Sequence, residues 1–177
     1  MTCIVGLVDG GIVYMGADSA GVSSYDLTVR KDTKLFKNGD FLIGYTSSFR
    51  MGQLLRFNFS PPKKDEDKDV YEYMATDFID AVRVCFNKGG FARIENGVEE
   101  GGCFLVGYKG RLFKVESDYQ VGESHHGFCS AGCGDNFAIG SLFSTQCKKP
   151  KDRIKTALEC AQEFSIGVRG PFVEMVI

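Results

Sequence analysis

The sequence predicts an α+β fold, a four-layer α/β/β/α sandwich of two antiparallel sheets with helices outside. Three observations predict it. The elements run in the order strands, two helices, strands, two helices, strand. The first strands carry apolar or small residues on both faces, as a sheet covered on both sides requires. Tight turn sequences, Asp9-Gly10-Gly11, Asn38-Gly39 and Lys109-Gly110, join the strands into antiparallel hairpins.

The elements follow in chain order. Thr2 to Val8 and Ile12 to Asp18 read as the first hairpin around Asp9 to Gly11. Lys34 to Lys37 and Asp40 to Tyr45 read as the second. Ser47 or Ser48 is an N-cap for a helix to about Asn58. A polar loop, Ser60 to Asp69, leads into a helix from Val70 to Asn87. There Met74, Phe78, Val82, Cys85 and Phe86 recur at helical spacing, and Gly89 and Gly90 stop it. Ala92 to Gly102 is a loop or short hairpin, Cys103 to Glu116 a hairpin, and Tyr119 to Cys129 extended. Helices then span about Gly134 to Gln146 and Asp152 to Phe164, and Phe172 to Ile177 is a closing strand.

The 177 residues, 44% hydrophobic and 25% charged, suit one domain, residues 1–177, with a sizeable core. A net charge of -2 argues against a nucleic-acid surface. No apolar run approaches the ~20 residues that span a bilayer, and no signal-peptide pattern opens the chain. Seven cysteines, an odd number, without a C-x-x-C pair fit a reduced, cytoplasmic setting. His125, His126, Cys129 and Cys133 match no common zinc spacing.

The first hairpin carries chemistry. If Val8 opposes Ile12 across a three-residue turn, Thr2 opposes Asp18 on one side of the sheet. Lys34, opening the next hairpin, falls beside Asp18. Methionine before a small residue is commonly removed, which would give Thr2 a free α-amine. Such an amine has a pKa of ~7.7–8.0 and serves as a general base for its own hydroxyl. A lysine cation nearby favours the developing alkoxide, and an aspartate holds the lysine. The plain alternative is that Thr2 reflects start-site processing, Asp18 a strand end and Lys34 a solvated hairpin residue.

At these residues the sequence resembles the proteasome β-subunits and the bacterial HslV peptidase, N-terminal-nucleophile (Ntn) hydrolases. Thr2 to Gly21 resembles the family's opening, with threonine first and an acidic residue sixteen positions later. Lys34 matches the catalytic lysine, and Gly132 to Leu142 fits G-x-G-x-x-x-A-x-G-x-L. The resemblance implies the Ntn-hydrolase fold and a threonine endopeptidase with Thr2, Asp18, Lys34 and the Gly-x-Gly residue, here Cys133 in place of serine. It implies an oxyanion donor at Ser47 or Ser48, where the family has glycine, and a substrate pocket lined by Thr46. It implies a cation, monovalent or divalent, on the backbone carbonyls of Gln162, Ser165 and Val168, with no cofactor required. It implies a homo-oligomeric ring, six- or seven-fold and stacked, that works on polypeptides. The helices Ser48–Asn58 and Val70–Asn87 are candidate ring contacts. The chain has no G-x-x-x-x-G-K-[ST] motif, so an ATP-dependent unfoldase would be a separate partner.

Two other readings compete. Gly132 to Gly140 also fits an anion-binding loop of a sugar kinase, though no doubly wound pattern precedes it. The stronger rival is a ring subunit that assembles without cleaving anything.

Overall fold

The computed structural model describes all 177 residues. Strands β1 (Cys3–Asp9) and β2 (Ile12–Ala17) form the first hairpin. Its register corrects the sequence expectation by one residue: Asp9 pairs with Ile12, and Ile4 with Ala17. The physical reason is the turn. Gly10 and Gly11 both adopt positive φ, 56° and 77°, which closes a two-residue turn instead of a three-residue one.

A second hairpin, β3 (Ala20–Ser23) with β4 (Asp26–Val29), was not expected. Its turn at Ser24 lacks glycine and its strands are largely exposed, so it carries no apolar period. Strands β5 (Leu35–Asn38) and β6 (Phe41–Tyr45) follow as read, then helix α1 (Phe49–Phe57). Ser48 caps α1 by accepting from the Arg50 amide at 3.1 Å.

The next helix is not continuous. It runs as α2 (Val70–Tyr73), a π-helical turn at Met74–Phe78, and α3 (Ile79–Lys88). The widened turn sends Tyr73, Met74 and Phe78 all into the core, each fully buried. Gly90, at φ 66°, stops the run in the left-handed region. A small hairpin, β7 (Arg93–Glu95) with β8 (Val98–Glu100), precedes β9 (Phe104–Tyr108) and β10 (Arg111–Val115). The stretch expected as one extended segment divides into β11 (Val121–Glu123) and β12 (Phe128–Gly132). Helices α4 (Asp135–Ser144) and α5 (Pro150–Phe164) and strand β13 (Val173–Val176) complete the chain.

One sheet orders β12-β1-β2-β13 and the other β11-β10-β9-β6-β5. Ile4, Met15, Leu42 and Leu105 fill the space between them. Cys3, Val5 and Leu7, on the opposite face of β1, pack against α4 and α5 through Leu142, Ile154 and Leu158. Ile43, Val106 and Phe113 pack outward against Leu54, Phe78 and Phe86 of the α1–α3 layer. The architecture is the expected sandwich, and β1 is an inner strand of its sheet, between β12 and β2.

Candidate active site

Thr2 immediately precedes β1 and is buried. Its carbonyl is fixed from the side by β12, where Cys3 pairs with Gly132. Gly132 has φ 104°, and a Cβ there would stand 2.2 Å from the Thr2 oxygen, so only glycine fits. The Thr2 amide donates to Cys133 Sγ at 3.3 Å, the Cys133 thiol donates to the Thr2 carbonyl at 3.4 Å, and the Ser165 hydroxyl donates to Cys133 Sγ at 3.4 Å. Cys133, Ser165 and the Thr2 nitrogen therefore form one chain of polar contacts.

Asp18 follows β2. Its Oδ1 accepts from the Cys3 amide at 2.9 Å and from Lys34 Nζ at 2.8 Å, and its Oδ2 from the Ala20 amide at 2.8 Å and the Arg169 amide at 3.4 Å. The shifted hairpin register thus aims Asp18 at the Cys3 backbone and Lys34 rather than opposite Thr2. Lys34 and Asp18 are both 1% exposed. Burial lowers the Lys34 pKa from 10.5, and Asp18 pulls against that shift.

Met1 covers this group. Thr2 Oγ1 donates to the Met1 carbonyl at 2.5 Å, and Lys34 Nζ lies 3.5 Å from the same oxygen. The hydroxyl and the ammonium converge on one carbonyl that flanks Thr2. Gly167 leaves room for Met1, whose Cβ would be 2.4 Å from a side chain there.

Thr46, Ser47 and Ser48 close the other side. Thr46 is buried, with Oγ1 3.1 Å from the space that glycine leaves at position 132. The Ser48 amide is used on the Thr46 carbonyl at 2.7 Å. The Ser47 amide meets no acceptor in the protein, and Ser47 is exposed. Ser47 has φ 62°, a conformation that favours glycine, and its Oγ accepts from the Cys103 amide at 3.0 Å. Between the two serines, Ser47 offers the unspent N–H.

The sequence reading missed the wall beside Lys34. The Arg30 guanidinium stacks 3.8 Å from the Phe49 ring centroid and forks onto Asp32 at 2.8 and 2.7 Å. Lys34 Nζ lies 5.7 Å from the same ring. No spacing signal links a loop arginine to the first residue of a helix.

Gln162, Ser165 and Val168 gather at the end of α5. The Ser165 carbonyl accepts the Val168 amide at 3.1 Å and keeps one lone pair, while Gln162 Oε1 accepts the Gly170 amide at 2.7 Å. His126 stacks on Phe128, away from Cys133, and no three His, Cys, Asp or Glu side chains converge in metal-binding geometry. No helix is long and apolar enough to cross a membrane.

No protein-family model matches the chain, and no curated protein sequence does. Solved structures do. BPH of Thiobacillus denitrificans in complex with epoxomicin superposes with a TM-score of 0.81 at 15% identity, covering 99% of this chain and 98% of that one. HslV of Trypanosoma brucei gives 0.69 at 14% identity, with 99% and 98% covered. Anbu, described as an ancestral beta-subunit, from Yersinia bercovieri gives 0.67 at 14% identity, with 99% and 81% covered. The chain has the proteasome-like sandwich of the Ntn hydrolases, the fold shared by HslV and Anbu.

Proposed function

We propose that the chain is a threonine endopeptidase subunit that cleaves peptide bonds with Thr2 after Met1 is removed. The observation that carries this reading is the buried Lys34–Asp18 pair set against the Thr2 end of β1. Removal of Met1 turns the Thr2 amide into an α-amine held beside Cys133 and Ser165. The amine takes the proton of Thr2 Oγ1 as that oxygen attacks the scissile carbonyl. Lys34, anchored by Asp18, favours the developing alkoxide. The Ser47 N–H, which has no acceptor in the protein, would serve as the oxyanion donor. The tetrahedral intermediate collapses to a Thr2 ester, and the amine's proton passes to the leaving nitrogen. Water, deprotonated by the same amine, then hydrolyses the ester and restores Thr2.

Every proton in this sequence moves between groups of the chain, substrate and water. A cation on the carbonyls of Gln162, Ser165 and Val168 would serve the shape of the loop carrying Ser165. A closed homo-oligomeric ring facing an inner chamber would spare folded bystanders, and an ATP-dependent unfoldase would be a separate chain. The similarity to the HslV and Anbu folds supports the ring as a proposal.

The rival is a non-cleaving ring subunit: a chain that kept Met1 would have its Thr2 hydroxyl bonded to the Met1 carbonyl and its Thr2 nitrogen in an amide. Intact mass of the purified protein separates the two. Loss of Met1, with fluorogenic-peptide hydrolysis that disappears in Thr2→Ala, supports the peptidase. A mass that gains one epoxomicin, the compound bound by the similar BPH, supports it independently. Retained Met1 in active-looking assemblies without hydrolysis supports the scaffold.

A further inference from the structure

Cys133 is exposed, and of the seven cysteine sulfurs it is the one that accepts from a nitrogen, the Thr2 N–H at 3.3 Å. Two glycines seat it there. The Gly134 amide donates to the Thr2 carbonyl at 3.4 Å, and a Cβ at position 134 would stand 2.9 Å from Val168 and 3.0 Å from Cys3 and Ala161. A Cβ at position 167 would stand 2.7 Å from Cys133 Sγ. The sulfur is thus held between the start of β1 and the loop after α5, where the Ser165 hydroxyl donates to it at 3.4 Å. A serine oxygen at this position would make the same bonds. What sulfur adds is oxidation chemistry.

We infer that a peroxide joins Cys133 Sγ to the Thr2 α-amine as a sulfenamide, which switches the site off until a thiol reverses it. The inference rests on the reading that Met1 is removed, since the amine must be free, and it does not require that Thr2 cleave peptides. Three observations support it. The 3.3 Å contact already falls within the ~3–3.5 Å from which an oriented pair reacts. Cys133 is open to a small oxidant. The competing thiols near the site are sheltered: Cys3 and Cys129 are buried, and burial pushes the Cys129 thiol up to about 12 and the half-buried Cys103 thiol up to about 11. Cys147 and Cys160 lie on the α4–α5 loop and on α5, with no nitrogen on their sulfurs.

The oxidant is hydrogen peroxide. The Cys133 sulfur attacks one peroxide oxygen, the O–O bond breaks, and a sulfenic acid and one water form. The Thr2 amine lone pair then attacks the sulfenic sulfur. The S–O bond breaks, the nitrogen gives up one proton, and the hydroxide leaves as a second water. The product has an S–N bond, and its nitrogen no longer serves as the base for Thr2 Oγ1. One thiol breaks the S–N bond, returns the proton to nitrogen and leaves a mixed disulfide on Cys133. A second thiol takes up that disulfide and frees Cys133.

The test is hydrogen peroxide treatment of the whole protein, read by intact mass, by peptide mass spectrometry and by labelling of the N-terminal amine with a succinimidyl ester. The chain without Met1 is expected to lose two hydrogens, to join its N-terminal peptide to the Cys133 peptide, and to stop labelling at the Thr2 amine. Dithiothreitol is expected to restore all three. Cys3→Ala is expected to form the same link, which separates it from a Cys3–Cys133 disulfide, and Cys133→Ser is expected to label fully after peroxide. In the wild type, peptide hydrolysis is expected to fall in proportion to the link. A chain without Met1 whose Thr2 amine still labels after treatment, with Cys133 as a sulfinic acid or in a disulfide, overturns the sulfenamide and leaves the peptidase reading standing. A link formed in a chain that hydrolyses no peptide supports the sulfenamide and overturns the peptidase reading. Retained Met1 overturns both.

Discussion

Lys34 Nζ lies 2.8 Å from Asp18 Oδ1, and neither side chain reaches solvent. Removing one member of a buried pair leaves the other charged and alone, which costs about 3–5 kcal/mol. Lys34→Met is expected to lose that much stability in chemical denaturation. Asp18 also accepts three backbone amides, so the loss spreads to the starts of β1 and β3 and to the Arg169 loop.

The same lysine sets a pH dependence. Burial lowers its folded pKa below 10.5. Between that lowered value and 10.5 the unfolded chain holds a proton that the folded chain has released. Stability therefore gains a rising contribution from Lys34 as pH climbs through the window, and loses it as pH falls. Denaturation midpoints of the wild type are expected to rise relative to Lys34→Met over that range. A flat difference would contradict the assignment of burial as the dominant cause.

Cys133 stands where a hydroxyl would make the same contacts. Cys133→Ser is expected to keep hydrolysis within a few-fold of wild type. Cys133→Val removes the partner of the Thr2 nitrogen, and one lost hydrogen bond of about 1–1.5 kcal/mol slows peptide hydrolysis by about tenfold. Steady-state rates on one fluorogenic peptide compare the three.

Ser47 holds a left-handed conformation that costs a non-glycine residue about 1–2 kcal/mol, and offsets part of it with the Cys103 bond, worth about 1 kcal/mol. Ser47→Gly relieves the strain and loses the bond, so its stability is expected to stay near wild type. Ser47→Ala keeps the strain and loses the bond, so it drops by about 1 kcal/mol. Both keep the backbone N–H, and both are expected to keep hydrolysis. A large rate loss in Ser47→Gly would remove the N–H from its oxyanion role.

Gly132→Ala must place a methyl 2.2 Å from the Thr2 carbonyl at φ 104°. Strain and overpacking together cost about 2–4 kcal/mol. Thermal unfolding and hydrolysis are expected to fall together, because the same shift moves Thr2.

The layers were legible because each rests on a local pattern: glycine turns, two-faced strands, and apolar residues at helical spacing from Met74 to Phe86. The β3–β4 hairpin was not, since exposed strands carry no alternation for a reader to find. The π turn was invisible because its extra residue leaves the spacing of Met74 and Phe78 intact. At the site, Thr2, Asp18 and Lys34 were nameable from order and spacing and Cys133 from the family resemblance, and the structure gathers them at one end of β1. What could not be read was which atoms meet. Asp18 reaches the Cys3 amide because of a one-residue turn difference, and Ser47 alone keeps a free N–H because Ser48 spends its own on Thr46.

The Gly10–Gly11 turn lies at the far end of the hairpin, six residues of β2 away from Asp18, or roughly 20 Å of strand. Yet turn length and strand phase are one mechanical setting. Were Asp9 drawn into the turn as its third residue, Val8 would oppose Ile12, and β2 would slide by one step against β1 and exchange its faces. Asp18 would then lose its grip on the Cys3 amide without any atom of the site being altered. The two glycines act as a remote adjuster, setting from the opposite end of the sheet which residue of β1 Asp18 meets.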